Sequence, residues 1–261
     1  MTSRGDEEKG KPELNAPEPS LETPTLLSKF VSHINSPLPT PLRREILLTL
    51  TTFQTGLLDA SVYISLGHVF VANMTGNIVL LGLAIANLKT EADVLPICIS
   101  LVAFFVGGLV IGVIERIALQ ENHTRLFFTA MTLVDCVLNF VAATLVVTVP
   151  IVAEVNGNMR LIIFALLAFG QGLQLVVTKR AGLPEFANAV VTNTYVDLST
   201  DPKLFALWGP GVRERNRRAV SLLSLLAGAL VGAEIYKYAG LDIALFVAGG
   251  VSFITAVGWS L

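Results

Sequence analysis

Apolar residues run in long blocks along most of this chain, and polar residues gather where the blocks end. A helix needs roughly 20 apolar residues to cross about 30 Å of hydrocarbon, and most of the blocks approach that length. Eight hydrophobic segments can be counted, each bounded by a charge, a proline or a turn that contains Gly or Asn. They span approximately residues 45–66, 69–88, 94–115, 125–149, 160–178, 186–199, 217–236 and 241–260. The pattern predicts an all-α polytopic membrane protein with six to eight helical segments.

The segments differ in how well they fit a membrane span. Segments two, three, four and eight have the clearest span patterns. Segment six, F-A-N-A-V-V-T-N-T-Y-V-D-L-S, is short and polar for a span. Backbone that leaves the helix at membrane depth is tolerated only where it is buried in protein or lines a wet cavity. We therefore expect segment six to be a broken helix or a half-helix.

Three landmarks recur in the same order along the chain at nearly constant separation. They are F-x-x-G-L at 53–57 and 169–173, a threonine at Thr75 and Thr192, and G-[GA]-L-V at 107–110 and 228–231, with offsets of 116, 117 and 121. The duplication predicts two membrane repeats, residues 43–150 and 151–261. Four crossings in each half would make the repeats parallel. If segments two and six do not cross, each half has three crossings and the repeats are inverted.

The N-terminal stretch has a different composition from the rest of the chain. Residues 1–42 hold seven of the twelve prolines and six acidic residues, with no helical period. Such a composition predicts a disordered tail. Its first residues are polar and acidic, with no apolar region close behind, so they do not form a signal peptide. We interpret the tail as a cytosolic extension.

Composition narrows the classes of function. Hydrophobic residues make up 53% of the chain and charged residues 15%, and the mean hydropathy is +0.68. The 18 basic and 20 acidic residues form no basic patch for nucleic acid, and the two cysteines lie in apolar stretches as reduced core thiols. The chain has no H-E-x-x-H, G-x-S-x-G or Walker motif. We expect no enzyme activity, no catalytic residue, no cofactor and no metal.

The basic residues indicate orientation. With eight crossings and a cytosolic N-terminus, the cytosolic side would carry Lys29, Arg43, Arg44, Lys89, Arg160, Lys203, Arg213, Arg215, Arg217 and Arg218, against Arg116, Arg125, Lys179, Arg180 and Lys237 opposite. The positive-inside rule then predicts that both termini are cytosolic. The cluster R-E-R-N-R-R at 213–218 is interpreted as a topology determinant among anionic headgroups. The acceptor motif at Asn122 would lie on the non-cytosolic side, within reach of glycosylation. The plasma membrane is the expected location.

Polar groups inside the spans are the candidates for function. An ionisable residue at the bilayer midplane costs about 2.5–3.5 kcal/mol, so Asp59 and Asp135 should face a partner or a cavity. In M-T-G-N, a glycine between a hydroxyl and an amide lets the backbone unwind and coordinate a solute. The same small and polar residues could also serve only to pack helices together. The predicted solute-site residues are Asp59, Asn73, Thr75, Gly76, Asn77, Asp135, Gln171, Thr192, Asn193 and Thr194.

A longer stretch has a family signature. Residues 56–77, G-L-L-D-A-S-V-Y-I-S-L-G-H-V-F-V-A-N-M-T-G-N, resemble the YoaK family, a group of polytopic membrane proteins of unknown function in bacteria and fungi. The resemblance extends through G-Q-G-L-Q, T-N-T-Y-V-D-L and the arginines before G-A-L-V-G-A, over roughly residues 45–260. Asn193 departs from it, since similar chains have T-G-T there. The resemblance implies a multi-pass fold and a membrane location, and no reaction, substrate or cofactor.

Two functions fit these features. The first is a small-solute secondary transporter or permease, with a site between the two halves and Asp59 as a proton or cation site. The alternative is a non-transporting scaffold or accessory subunit whose polar residues fasten helices together. The expected partners are the lipid bilayer and a small molecule or ion, and not nucleic acid.

Overall fold

The structure is a computed structural model that describes residues 38–86, 92–119, 124–148, 158–186, 191–206 and 208–261, together with 32, 35, 36 and 88. Within these residues the chain forms eight α-helices and no strand. The helices are α1 Pro41–Ser65, α2 Met74–Ile85, α3 Val94–Ile114, α4 Arg125–Thr148, α5 Asn158–Arg180, α6 Val191–Ser199, α7 Val212–Ala239 and α8 Leu241–Ser260. The all-α polytopic prediction is confirmed. Most of the predicted tail and Asn122 lie outside the described residues.

The helices fall into long and short classes. Five of them, α3, α4, α5, α7 and α8, are long and apolar enough to cross a membrane. Helix α1 has 25 residues, a length of about 37 Å at 1.5 Å per residue. Helices α2 and α6 have 12 and 9 residues, so each reaches less than about 20 Å. The expectation that segment two has one of the clearest span patterns was therefore wrong, whereas segment six does contain a short helix.

The outer surface of the bundle is apolar. Long aliphatic and aromatic side chains on α3 and α7 point outward, and Phe105 is 69% exposed. Polar side chains are instead buried on α1 and α5, among them Gln54 and Gln171. A soluble protein does not expose so much continuous apolar surface, whereas lipid covers it without cost. The polar side chains that α1 buries also explain why this helix, although it has 25 residues, is not among the five apolar enough to cross a membrane.

Two helix pairs are packed closely through glycines. Helix α1 packs on α7, where a side chain at Gly228 would collide with the carbonyl of Phe53. Helix α3 packs on α5, where a side chain at Gly107 would collide with the carbonyl of Phe169. Small residues let helix backbones approach this closely in membranes. Helices α4 and α8 pack on each other as a third pair.

One end of the bundle carries most of the charged contacts, and we call it the basic end. It contains the starts of α1, α4 and α7 and the ends of α3, α5 and α8. The contacts there join Arg44 to the carbonyl of Ala181, Arg213 to Glu45, Arg180 to Glu115 and Arg125 to the carbonyl of Leu261, at 3.1, 3.0, 2.8 and 2.8 Å. Leu47, near the start of α1, also contacts Gly258, near the end of α8.

The opposite end is organised by Arg160. Its guanidinium pairs with Asp93 at 2.8 Å and lies 3.5 Å from the carbonyl of Leu66, so the end of α1 and the start of α3 meet there. The chain between residues 66 and 93 therefore leaves and returns to the same end. The eight-crossing topology, which grouped Arg160 with Arg44 and placed Arg180 opposite them, was wrong. The short helices do not carry the chain across the bundle.

Candidate solute cavity

A cavity of about 410 Å³ opens beside the short helices. Its wall combines residues of α1, α2, α3, α6 and α7, so both halves of the chain contribute. Five of the ten predicted site residues line it: Asp59, Asn73, Thr75, Gly76 and Thr192. The remainder of the wall is largely apolar, with Phe104, Val79 and Leu225. A mostly apolar cavity with a few convergent polar groups is typical of a site for a small molecule.

Asp59 holds the backbone that enters the cavity. Its Oδ1 accepts hydrogen bonds from the backbone N–H groups of Val71 and Ala72, each at 2.8 Å. These residues follow a turn in which Gly67 and His68 have positive φ angles of 99° and 61°. The turn reverses the chain after α1, and the carboxylate fixes the returning segment against that helix. Asp59 is half-buried and borders the cavity.

Two asparagines complete this segment in different ways. Asn73 caps α2, since its Oδ1 accepts a hydrogen bond from the N–H of Gly76 at 3.1 Å. Asn77 is fully buried, and its side chain accepts from the N–H and donates to the carbonyl of Phe70, at 3.0 and 2.8 Å. It also donates to Ser100. These bonds use the Asn77 amide away from the cavity and give it a structural contact, while its predicted solute role stays a prediction.

Helix α6 brings only its first turn to the cavity. Val191 and Thr192 line the wall. Asn193 is exposed and Thr194 is buried, and the cavity wall includes neither of them. Of the predicted T-N-T element, only the first threonine reaches the cavity, because successive helical residues point about 100° apart.

A second, much smaller space of about 10 Å³ lies deeper in the bundle and shares Thr55 and Phe104 with the cavity. The hydroxyl of Thr55 donates to Gln171 Oε1 at 3.0 Å. Among the described residues, Gln171 Nε2 and both amide atoms of Gln174 have no hydrogen-bond partner within 3.5 Å, although both side chains are buried. A space of this size holds about one water molecule. Gln174 is a polar residue of the same segment but was not among the ten predicted solute-site residues, although G-Q-G-L-Q places it on the same helix face as Gln171.

Asp135 lies in a different environment. Its Oδ2 accepts hydrogen bonds from Gln54, Ser252 and Asn139 at 2.8, 2.8 and 3.1 Å. The carboxylate thus joins α4 to α1 and α8 in a fully buried cluster, and it does not line the cavity. Asp135 thus lies apart from the cavity, and its predicted place in a solute site stays a prediction. The hydrogen bonds of this buried carboxylate hold three helices together.

The described residues hold no group of three or more His, Cys, Asp or Glu that could bind a metal ion. The polar groups of the cavity are instead hydroxyls, amides, one carboxylate and the N-terminal turns of two helices. Backbone N–H groups at such turns carry partial positive charge. The arrangement can hydrogen-bond a small polar solute.

Comparison with known proteins places the chain among membrane proteins. Residues 47–258 match the model of a family described as a protein of unknown function, DUF1275. The chain is also similar to the UPF0700 transmembrane protein YoaK of Bacillus subtilis (strain 168), with 31% identity over 200 residues that cover 73% of this chain and 83% of YoaK. No solved structure matches the chain.

Proposed function

This chain belongs to the DUF1275 family of multi-pass membrane proteins, and from that premise we propose that it is a secondary transporter for a small polar solute. The observation that carries the proposal is the cavity shared by two short helices. Both α2 and α6 begin at its wall, with Thr75 and Thr192 beside their N-terminal turns. Discontinuous helices whose N-termini meet a solute near the bilayer midplane are a recurring device of transporters.

The proposal includes an inverted internal repeat, residues 43–150 and 151–261. Six long helices give three crossings in each half, and an odd number inverts the second half relative to the first. Residues that are separated by the offset between the two repeats also contact each other directly. Thr55 bonds Gln171 across a separation of 116 residues, and Asp135 bonds Ser252 across 117. Such pairs are expected where a pseudo-two-fold axis passes through the bundle.

The charged ends support an orientation for this topology. The basic end and its flanking turns carry Arg43, Arg44, Arg116, Arg125, Lys179, Arg180, Lys203, Arg213, Arg215, Arg217 and Arg218, whereas the opposite end carries Arg160 and Lys237 among the described residues. The positive-inside rule then favours a cytosolic basic end and cytosolic termini. The plasma membrane stays the expected location. Asn122 lies in the sequence between Arg116 and Arg125, which are both at the basic end, so this orientation predicts that it is not glycosylated.

The cavity favours a solute of limited size with hydrogen-bonding oxygen or nitrogen atoms. Its volume of about 410 Å³ lies in the lower part of the range for small-molecule sites. Two helix N-termini and two threonine hydroxyls offer hydrogen-bond donors to the solute. Asp59 provides the one carboxylate at the wall and is proposed as the proton or cation site that couples transport.

Thermal stabilisation by ligands tests the site. The purified protein is screened in detergent against metabolites and ions, beside Thr75→Ala, Thr192→Ala and the matched control Thr144→Ala. Thr144 is an exposed threonine of α4 that does not line the cavity. A ligand at ten times its Kd stabilises the native state by about 1.4 kcal/mol. We expect a hit whose Kd rises about fivefold in each cavity variant and stays unchanged in the control.

Flux in liposomes then separates transport from binding. A transported solute should move in the parent, and Asp59→Asn should uncouple that movement from a proton or cation gradient. A folded protein that neither binds nor moves any solute of a broad panel would contradict the proposal. That outcome would favour the scaffold alternative, for which the Asp135 cluster is the structural argument because it fastens helices without facing a cavity.

A further inference from the structure

A second space of about 400 Å³ lies at the basic end, between the first turns of α1 and α7 and apart from the solute cavity. Its wall includes Leu42, Ile46 and Val220, which are 60%, 55% and 41% exposed. These side chains face the outside of the bundle, where lipid chains lie. Arg213 and Arg217 line the same space. The groove therefore joins an apolar wall to a charged rim at one end of the bundle.

The charges at this rim do not balance. Glu45 is the one carboxylate in the wall of the groove, and it pairs with both Arg213 and Arg217. Two guanidinium groups on one carboxylate leave a surplus of one positive charge. The Arg213 side chain is 58% exposed, whereas Arg217 is 16% exposed, so Arg213 presents that surplus outward.

The opposite end provides an internal comparison. There Asp93 pairs with a single arginine, Arg160, whose side chain is 6% exposed. That pair is balanced and its guanidinium is hidden. The exposed surplus of charge beside an apolar groove thus distinguishes the basic end.

We propose that the groove binds one anionic glycerophospholipid. Its phosphate would contact Arg213 and its acyl chain would lie along Ile46 and Val220. An arginine guanidinium matches the geometry of a phosphate. Near the membrane surface each basic residue contributes about fivefold to binding of anionic lipid. The apolar wall favours a phospholipid over free phosphate, because only the lipid has a chain to cover it. This site is independent of the proposed transport.

Lipid titration tests the site. The delipidated full-length protein is titrated in detergent with phosphatidylglycerol or phosphatidylcholine, and bound lipid is counted by native mass spectrometry. Arg213→Gln removes the surplus charge and leaves Glu45 paired with Arg217. The matched control is Arg116→Gln, an exposed arginine at the same end that does not line the groove. We expect Arg213→Gln to weaken phosphatidylglycerol binding about fivefold, and Arg213→Lys and the control to retain most of it.

A second variant tests the chain-binding wall without changing charge. Val220→Trp fills the groove and should weaken binding of phosphatidylglycerol by a similar factor. Inorganic phosphate and glycerol phosphate should not compete with the lipid. Equal binding of the two lipids by the parent, equal losses in Arg213→Gln and Arg116→Gln, or full competition by inorganic phosphate would each overturn the proposal.

Discussion

Asp59 and Asp135 are two carboxylates inside the same bundle, and their surroundings differ in kind. Asp135 is enclosed by side chains of three helices that donate to it. Asp59 accepts from the backbone of a non-helical segment and borders a cavity of about 410 Å³. Both groups compensate the cost of burial with hydrogen bonds. Only Asp59 does so beside space that a solute can enter.

The comparison shows that a polar group in a membrane helix has a burial cost that must be compensated, and that this cost alone does not indicate a function. The cost can be met by a neighbouring helix, as at Asp135, or by a segment that shapes a cavity, as at Asp59. What separates the two cases is the space beside the group. Variants at the two positions should therefore differ in what they impair.

The largest expected effect is loss of stability in Asp135→Ala. The variant removes the acceptor of Gln54 and leaves that amide buried without one, whereas Ser252 can still donate to the carbonyl of Ala248 at 3.2 Å. An orphaned buried donor costs about 1–3 kcal/mol, and the lost bonds from Ser252 and Asn139 add to that cost, so the free energy of unfolding should fall by about 3 kcal/mol. Denaturant titration of the purified protein measures it. Solute affinity of the protein that remains folded should not change.

Asp135→Asn is the control for that variant. It keeps one side-chain oxygen as an acceptor and should lose less stability than Asp135→Ala. If Asp135→Ala keeps the stability of the parent but abolishes solute binding, the structural assignment of this carboxylate is wrong.

The helical class and five of the residues that line the cavity could be predicted from the sequence, because hydropathy and spacing are local signals. The length of α2 could not. Residues 69–88 are apolar enough for one long helix, but Asp59 binds the N–H groups of Val71 and Ala72, and the helix begins only at Met74. This contact joins residues 12 and 13 positions apart through a turn, so no periodicity records it. The predicted number of membrane crossings and the predicted orientation both depended on the length of α2, and so on this contact.

A smaller effect is expected at Asp59. Asp59→Ala removes the acceptor that holds the segment before α2, at a cost similar to the loss of a helix cap, about 1–2 kcal/mol. Asp59→Asn keeps an oxygen at that position and should retain most of the stability. Hydrogen–deuterium exchange of the peptide that contains Val71 and Ala72 measures the local change. We expect faster exchange in Asp59→Ala than in Asp59→Asn.

The control for that measurement is a peptide from α4, where exchange should stay as in the parent. Equal exchange of the 66–73 segment in Asp59→Ala and the parent would show that the carboxylate does not hold it. The cavity wall would then be formed by packing alone, and the contrast with Asp135 would weaken.

The smallest effect on stability is expected at Gln174. Neither of its amide atoms has a hydrogen-bond partner within 3.5 Å among the described residues, although the side chain approaches Asp135, and it lines the small space that adjoins the cavity. Replacing a buried polar group that makes no bond by an apolar one of similar size is nearly neutral. Gln174→Leu should therefore keep the free energy of unfolding within about 0.5 kcal/mol of the parent, as measured by denaturant titration.

Binding gives the same variant a second measurement. If the solute or a water molecule bound with it reaches the small space, Gln174→Leu loses about one neutral hydrogen bond, and the Kd rises about fivefold. Gln174→Leu thus distinguishes a buried polar group that binds solute from one that holds helices together more cleanly than a variant of either carboxylate does. Asp135→Ala should impair stability alone, whereas Gln174→Leu should impair affinity alone. A loss of stability of about 2 kcal/mol with unchanged affinity would instead place Gln174 with Asp135, among the residues that fasten helices.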